Sequence, residues 1–329
     1  MANPMRMLRT LCLGMAMATA VGTAPAQALE YPNRPIKLIV GWSPGGATDL
    51  LARTLATELN GLLQQPVVVE NRPGANGTIG HAQAANAPAD GYTLLLATNS
   101  TYAIAEHLYR GLSYRHQTDL APVSLVASSP LMLAVRPDLP ADDAAGLLAL
   151  AKREPGLLNI ASGGAGSTSH MAAELFMSVT GTRMTHVPYK GGGPATQAVA
   201  AGEVDVAFLD LGVAAPLAAA GRIRAIGVTG SEHSPLLPGV PPIASSGVPQ
   251  FQSTTNLAVF VPAGTPQPVV ARLAEAIRAA LAAPALRDKL SRQGLVLIGS
   301  TPQALGQSVQ AESAQWAEVI RERGIALEP

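Results

Sequence analysis

The apolar positions of this chain fall into short runs rich in β-branched residues, which alternate with stretches of helical period. Ile36 to Val40 is the first such run and reads as a buried strand. Just beyond it, Leu51, Leu55, Leu59 and Leu62 recur at helical spacing, with Gly61 as the stop. The alternation continues through strand Val67 to Glu70, helix Ile79 to Asn86 and an Asp90-Gly91 turn into strand Tyr92 to Ala97. A short helix around Tyr102 to Tyr109 follows, then two apolar strands, Ala121 to Ala127 and Leu131 to Arg136.

A second series begins with helix Asp143 to Lys152, strand Asn159 to Ala161, helix Ser169 to Val179 and strand Met184 to Val187. It goes on through helix Ala195 to Ala201 and strands Val204 to Leu209 and Ile223 to Thr229. The stretch Ser231 to Thr255 is rich in Pro, Ser and Gly, breaks the rhythm and reads as a crossing segment. Strand Leu257 to Val261 and helices Val269 to Ala282 and Ala285 to Gln293 come after it. Thr301 then offers an N-cap, Pro302 the first helical position and Gly324 the end of a last helix.

This alternation predicts an α/β chain whose mostly parallel sheets are covered by helices. The length exceeds what one core usually serves, so two lobes are expected. The economical division gives residues 29–136 plus 254–329 to lobe 1 and residues 137–253 to lobe 2. Binding sites of open α/β sheets lie beyond the carboxyl ends of the strands, so the βα loops of both lobes would face one cleft.

The N-terminus adds a compartment. Arg6 and Arg9 precede an apolar stretch, Leu11 to Val21, and Ala26-Gln27-Ala28 is an A-x-A cleavage site. Residues 1–28 therefore read as a signal peptide, cut before Leu29, that sends the chain to a periplasm. The one cysteine, Cys12, follows Leu11 rather than a small residue, which argues against a lipid anchor. Removing 28 of 329 residues leaves 301, with a net charge of −2 and no cysteine. Thiol catalysis, disulfides and cysteine metal sites are thereby excluded. Lys37, Lys152, Lys190 and Lys289 are the only lysines, too few for a nucleic-acid or membrane footprint.

The chemistry sits in glycine-rich turns from strand to helix. Gly41-Trp42-Ser43-Pro44-Gly45-Gly46-Ala47-Thr48-Asp49 would present free backbone N–H groups at a helix start, an anion-binding device. It nearly spells a nucleotide P-loop, but Ala47 stands where the phosphate lysine belongs, which points to a carboxylate instead. Asp49 in the first turn also serves the helix dipole. Ser162-Gly163-Gly164-Ala165-Gly166-Ser167-Thr168, followed by His170, repeats the device in the second half. It is no dinucleotide fingerprint, since Ser169 replaces the last Gly and no acid lies near position 186. A third turn, Asn71 to Gly80, reads at least equally well as purely structural. A fourth, Pro188 to Pro194, offers Tyr189 as an aromatic wall with a hydroxyl, and glycines that permit close backbone approach. Hydroxyls at Ser167 to Ser169 lie near His170, but no G-x-S-x-G elbow is present. The six histidines lack metal-site spacing, so no metal and no cofactor is expected.

Five blocks in order resemble the tripartite tricarboxylate transporter substrate-binding proteins, also called the Bug family, along essentially the whole mature chain. They are Pro44-Gly45-Gly46-Ala47-Thr48-Asp49, Val69-Glu70-Asn71-Arg72-Pro73-Gly74-Ala75-x-Gly77, and Ser162-Gly163-x-x-Gly166-Ser167-x-x-His170. His186-Val187-Pro188-Tyr189-Lys190-Gly191-Gly192 and Ala201-Gly202-Glu203-Val204-Asp205 complete the set. The resemblance implies a two-lobed Venus-flytrap protein that delivers small organic carboxylates to membrane permease subunits; the chain is further expected to be a monomer and not an enzyme. Leu209 stands where the family usually has an aspartate, with Asp210 next, and Asn256 where a tryptophan is common. His233 and Pro241-Pro242-Ile243 also depart from the pattern. On this reading Trp42, Ser43, Gly45, Gly46, Ala47, Thr48 and Asp49 hold one carboxylate, and Thr98, Asn99 and Ser100 extend that wall. Ser162, Gly163, Gly164, Gly166, Ser167, His170, Tyr189, Gly191 and Asp210 would close from the second lobe. A ligand sensor reporting to a kinase is the alternative of the same fold; a periplasmic hydrolase using Ser167 and His170 is the alternative of another class.

Overall fold

The computed structural model describes residues 31–326; the signal-peptide reading and Cys12 fall outside them. β1 (Ile36–Val40) is a strand because four of its five side chains are buried and β-branched or leucine. α1 (Ala47–Leu63) buries Leu51, Leu55 and Leu59 on one face. Gly61 does not stop it: the helix runs on to Leu63, and Gln64 closes it in the left-handed region at φ 52°. Next come β2 (Val67–Asn71), α2 (Thr78–Ala85) and β3 (Thr93–Thr98). A wide turn, Ser100–Ile104, leads into α3 (Ala105–Leu108), and α4 (His116–Asp119) follows.

The two strands expected between residues 121 and 136 are one strand, β4 (Leu120–Val135). Pro130 does not break it, since a residue without an N–H is tolerated where the ladder changes partners. Beyond it lie α5 (Ala144–Arg153), β5 (Asn159–Ser162), α6 (Thr168–Thr180), β6 (Thr185–Pro188), α7 (Gly192–Ala201) and β7 (Val206–Asp210). α8 (Leu211–Ala219) is a helix that the sequence pattern missed, because Pro216 interrupts an alanine-rich run without period. The chain then forms β8 (Arg224–Val228), β9 (Thr254–Pro262), α9 (Gln267–Ala282), α10 (Pro284–Ser291), β10 (Val296–Leu297) and α11 (Pro302–Arg323).

Among the described residues the strands form one sheet in the order β2-β1-β3-β9-β4-β7-β5-β6, with β8 and β10 also on β4. β1 pairs in parallel with β2 and β3, and β5 with β6 and β7, so each half has its own parallel cluster. β9 and β4 join them in antiparallel fashion. Up to Pro130, β4 pairs with β9; from Leu131 it pairs with β7 and β8. The second crossing enters at the same place, because Thr254 opens β9 opposite Pro130. Thr229 pins that junction, with its hydroxyl 2.8 Å from the Leu131 N–H and its carbonyl accepting from Ser253 N–H.

Each half has an apolar cluster of its own, around Leu55 and Leu273 in the first and Val199 and Leu209 in the second. A third cluster belongs to both: Ile39 and Leu95 from the first half join Leu133, Phe176 and Phe208 from the second. α11 covers it with Leu305, Val309, Trp316 and Ile320. No helix among the described residues is long and apolar enough to cross a membrane.

Deep in the first half, His81 Nε2 lies 2.8 Å from His116 Nδ1, with His81 stacked on Tyr114. Burial drives the His81 pKa well below its ordinary value, and the neighbouring His116 adds to the effect. Burial lowers His116 to about 3. Both rings are therefore neutral in the folded state, whereas the unfolded chain protonates them below about pH 6.5. They cost no stability above that pH. Between about pH 6.5 and 4.5 each should lower stability by up to about 1.4 kcal/mol per pH unit, as the unfolded state takes up protons the fold refuses. Half-buried Glu312 and Asp210, whose pKa values are raised by desolvation, act in the opposite sense. Urea denaturation of the parent and of a His81→Gln/His116→Gln variant isolates the histidines: the variant should show the smaller loss on acidification.

Candidate functional site

The loops beyond β1, β2 and β3 are held together backbone to backbone by glycines. A Cβ on Gly41 would lie 2.7 Å from the Gly77 carbonyl oxygen, and one on Gly80 3.0 Å from both Gly41 Cα and the Arg72 carbonyl oxygen. Gly77, at φ 88°, packs on Thr101. The turn Asn71 to Gly80 is thus part of the platform beneath the first anion-binding loop.

On this platform α1 starts at Gly46, whose cap has no side-chain hydrogen bond. By contrast α5, α6 and α11 are capped by Asp143, Ser167 and Thr301. The N–H groups of Ala47 and Thr48 lie in a first turn and have no partner inside the helix. Ser43, Pro44, Gly45, Gly46 and Ala47 are exposed, and Trp42 and Thr48 half-buried. Asp49 is 4% exposed, and its carboxylate is occupied by the loop itself. Gly45 N–H and Arg53 Nε each donate to Oδ2 at 2.9 Å, and Asn71 Nδ2 to Oδ1 at 2.9 Å. Burial pushes the Asp49 pKa up, but the bonds from Arg53, Gly45 and Asn71 outweigh it and hold the pKa below the usual value. Asp49 braces the loop that presents the open amides.

Thr98, Asn99 and Ser100 are buried. Thr98 and Ser100 bond each other at 2.7 Å, and Asn99 donates to the Thr254 carbonyl at 2.9 Å. Asn256, close by on β9, donates to Glu312 of α11 at 3.0 Å. This trio ties β3 to the strand junction.

In the second half the loop after β5 uses most of its own amides. Gly163 N–H donates to Ser169 Oγ at 2.9 Å, Gly164 N–H to Ser162 Oγ at 3.1 Å and Gly166 N–H to His170 Nδ1 at 3.1 Å. Ser162 is fully buried, 2.6 Å from His186 Nε2. Burial, with the stacked His170 as a lesser cause, lowers His186 to about 4. Ser167 caps α6 by accepting His170 N–H at 3.2 Å, and its hydroxyl donates to the Gly164 carbonyl at 2.7 Å. The amides of Thr168 and Ser169 remain at the helix start. Gly191, at φ 110°, caps α7 without a side chain and donates its N–H to Gly163 O. Half-buried Tyr189 packs on the second-half core while its N–H bonds Ser162 O at 3.0 Å. Asp210 ends β7 beside α7, since a Cβ on Gly192 would lie 3.3 Å from its Oδ2. Burial raises its pKa.

One residue brings the two sets of loops together. Asn76 Nδ2 donates across to the Ala165 carbonyl at 2.7 Å and lies 2.8 Å from the Tyr109 hydroxyl. Its backbone is left-handed at φ 52°, a conformation asparagine tolerates better than most residues. The signal for it was an asparagine within a run of glycines. At the junction, Thr255 and Thr168 add a hydroxyl–hydroxyl bond of 2.9 Å.

The arrangement suits anion capture by helix starts. It does not pair Ser167 with an imidazole, for both nitrogens of His170 face other partners: Gly166 N–H and, at 3.6 Å, Glu174. Ser162 does meet His186, but with no surface open to a substrate. Among the described residues no three His, Cys, Asp or Glu side chains cluster as metal ligands.

Comparison with known proteins shows the family and the fold. A family model described as the tripartite tricarboxylate transporter family receptor matches residues 51–325. The chain is 38% identical over 325 residues to protein BugT of Bordetella pertussis, covering 98% of this chain and all of that one. It superposes with a TM-score of 0.81 on an R. palustris protein solved with adipate, at 36% identity over 90% of this chain and 100% of that one. MatC of Rhodopseudomonas palustris, solved with bound malate, gives a TM-score of 0.77 at 33% identity, over 88% of this chain and 100% of that one.

Removing the brace should loosen the first loop. Asp49→Ala leaves three donors without their acceptor and is expected to cost about 1–3 kcal/mol in urea denaturation. Exposed Ser43→Ala should stay within roughly 0.5 kcal/mol of the parent.

Proposed function

Because the chain belongs to the tripartite tricarboxylate transporter receptor family, we propose that it captures a small dicarboxylate between two lobes in the periplasm and delivers it to membrane permease subunits. The observation that carries this reading is the pair of glycine-capped helix starts, at Gly46 and Gly191, one in each half. Asn76 links the loops of the two halves through its contact with Ala165. One carboxylate of the ligand sits on the amides of Gly46, Ala47 and Thr48. The other meets the starts of α6 and α7, near Tyr189 and Asp210.

Backbone amides suit this task better than cations here. Arg53, the cation nearest the first loop, is already committed to Asp49 and Asn71. Structurally similar proteins were solved with adipate and with malate, which supports a short dicarboxylate as the ligand class. The division into residues 29–136 plus 254–329 and residues 137–253 has its second boundary at Thr254 and its first a few residues past Pro130, where β4 changes partners; closure would turn about these paired crossings. Closure favours the state in which the ligand touches both walls. The ligand leaves chemically unchanged, which separates this reading from a hydrolase. Loss of dicarboxylate uptake in cells lacking the protein separates a transporter from a sensor.

Gly46 is the test position, since a Cβ there meets nothing within 4 Å and its φ of −82° accepts any residue. Calorimetry on Gly46→Val should show at least about a tenfold loss of affinity for adipate or malate. Its stability should change by about 1 kcal/mol or less. Unchanged affinity would remove the α1 start from the site. In small-angle scattering, saturating ligand should shrink the radius of the parent; an unchanged radius would contradict closure.

A further inference from the structure

Resting on the ligand-cleft reading, we propose that Arg323, near the end of the C-terminal helix, is a positioning residue for the second-lobe ligand loop. It acts through Glu174 and His170 on the backbone amide of Gly166. The contacts run in one line, hydrogen bonds at its two ends and a charge contact between them. Arg323 Nε donates to Glu174 Oε2 at 2.8 Å. Glu174 Oε1 faces His170 Nε2 at 3.6 Å, and His170 Nδ1 accepts the Gly166 N–H at 3.1 Å.

The direction of these bonds fixes the chemistry of the histidine. A ring nitrogen that accepts a backbone N–H carries no proton, so the proton of the neutral imidazole is on Nε2, facing the Glu174 carboxylate. His170 is 5% exposed and Glu174 8%, so neither can turn to water for another partner. Burial raises the Glu174 pKa, but the His170 and Arg323 contacts outweigh it and keep the carboxylate ionised. Without the guanidinium, a buried carboxylate would be left with only the imidazole to compensate it. It would then protonate or move, and the ring would move with it.

His170 has a second support in His186, stacked at 4.0 Å with a 20° tilt, which in turn holds Ser162. The two rings therefore anchor opposite ends of one loop, His186 at Ser162 and His170 at Gly166. The loop sets where the Thr168 and Ser169 amides stand at the start of α6. Arg323 enters this assembly from α11, which follows β9 in the chain and also covers the core shared by both halves. A neighbouring tie, Ser178 to Glu322 at 3.0 Å, joins the same two helices without touching the relay.

Arg323→Gln, Arg323→Lys and Glu322→Ala in the full chain test this. The readouts are the amide resonances of Gly166 and Gly45, the nitrogen resonances of the His170 ring, and calorimetry with adipate and malate. Arg323→Gln should shift the Gly166 amide and the His170 nitrogens while leaving Gly45 in place. It should weaken dicarboxylate binding about threefold to thirtyfold. Arg323→Lys should recover most of both effects, and Glu322→Ala should show neither. Unmoved Gly166 and His170 signals in Arg323→Gln, or equal shifts in Glu322→Ala, would overturn the relay. If the parent binds neither acid, the ligand assignment fails, while the resonances still decide whether Arg323 places the loop.

Discussion

β4 runs from one half of the molecule into the other without leaving the extended conformation, and it is hydrogen-bonded along its length on both sides of Pro130. That continuity is the constraint on which the rest depends. A strand shared by two pairing systems cannot let the halves part, and can only let them turn about the place where its partners change. β9 enters beside it at that place, so the halves are connected by two adjacent extended segments. Around this junction Asn99 donates to the Thr254 carbonyl, Thr229 accepts the Leu131 N–H, and Asn256 ties β9 to Glu312 of α11.

The shared core follows from the same constraint. With the parallel clusters joined edge to edge through β9 and β4, the faces that α11 covers form one apolar surface, where two separate lobes were expected to have two. The inner helix belongs by chain order to the first half, yet it meets α6 through Arg323 and Glu322. Motion between the halves must therefore preserve or slide an apolar contact. That favours a few discrete arrangements over a continuum.

Most strands and helices were legible in the sequence, because buried β-branched runs and leucines at helical period reflect local burial directly. The last helix was readable to both ends from Thr301, Pro302 and Gly324. The failures have local causes too. Gly61 has the composition of a stop, but the apolar face of α1 continues past it to Leu63. The gap between the two expected strands at 128–130 is bridged by pairing with β9, a partner distant in sequence, and α8 has no apolar period to mark it around Pro216. In the site, the glycine-rich turns were found, but the use of their amides was not. That Gly163, Gly164 and Gly166 are bonded within their own loop depends on where Ser162, Ser169 and His170 point. Asp49 reads from sequence as a ligand contact or a helix-dipole partner; that Asn71 and Arg53 donate to its carboxylate depends on how β2 packs beside α1.

Two glycines at the starts of α1 and α7 also accept a side chain. Gly46 and Gly193 both have open space where a Cβ would stand, and neither needs a left-handed backbone. Residues 29–329 contain no cysteine, so a thiol placed at either position would be the only one among them. A fluorophore attached at Gly193, in the first turn of α7, would sit beside the second-half loops without occupying the start of α1. The scaffold thus lends itself to optical labelling, in which one substitution supplies the attachment point and the fold has room for it.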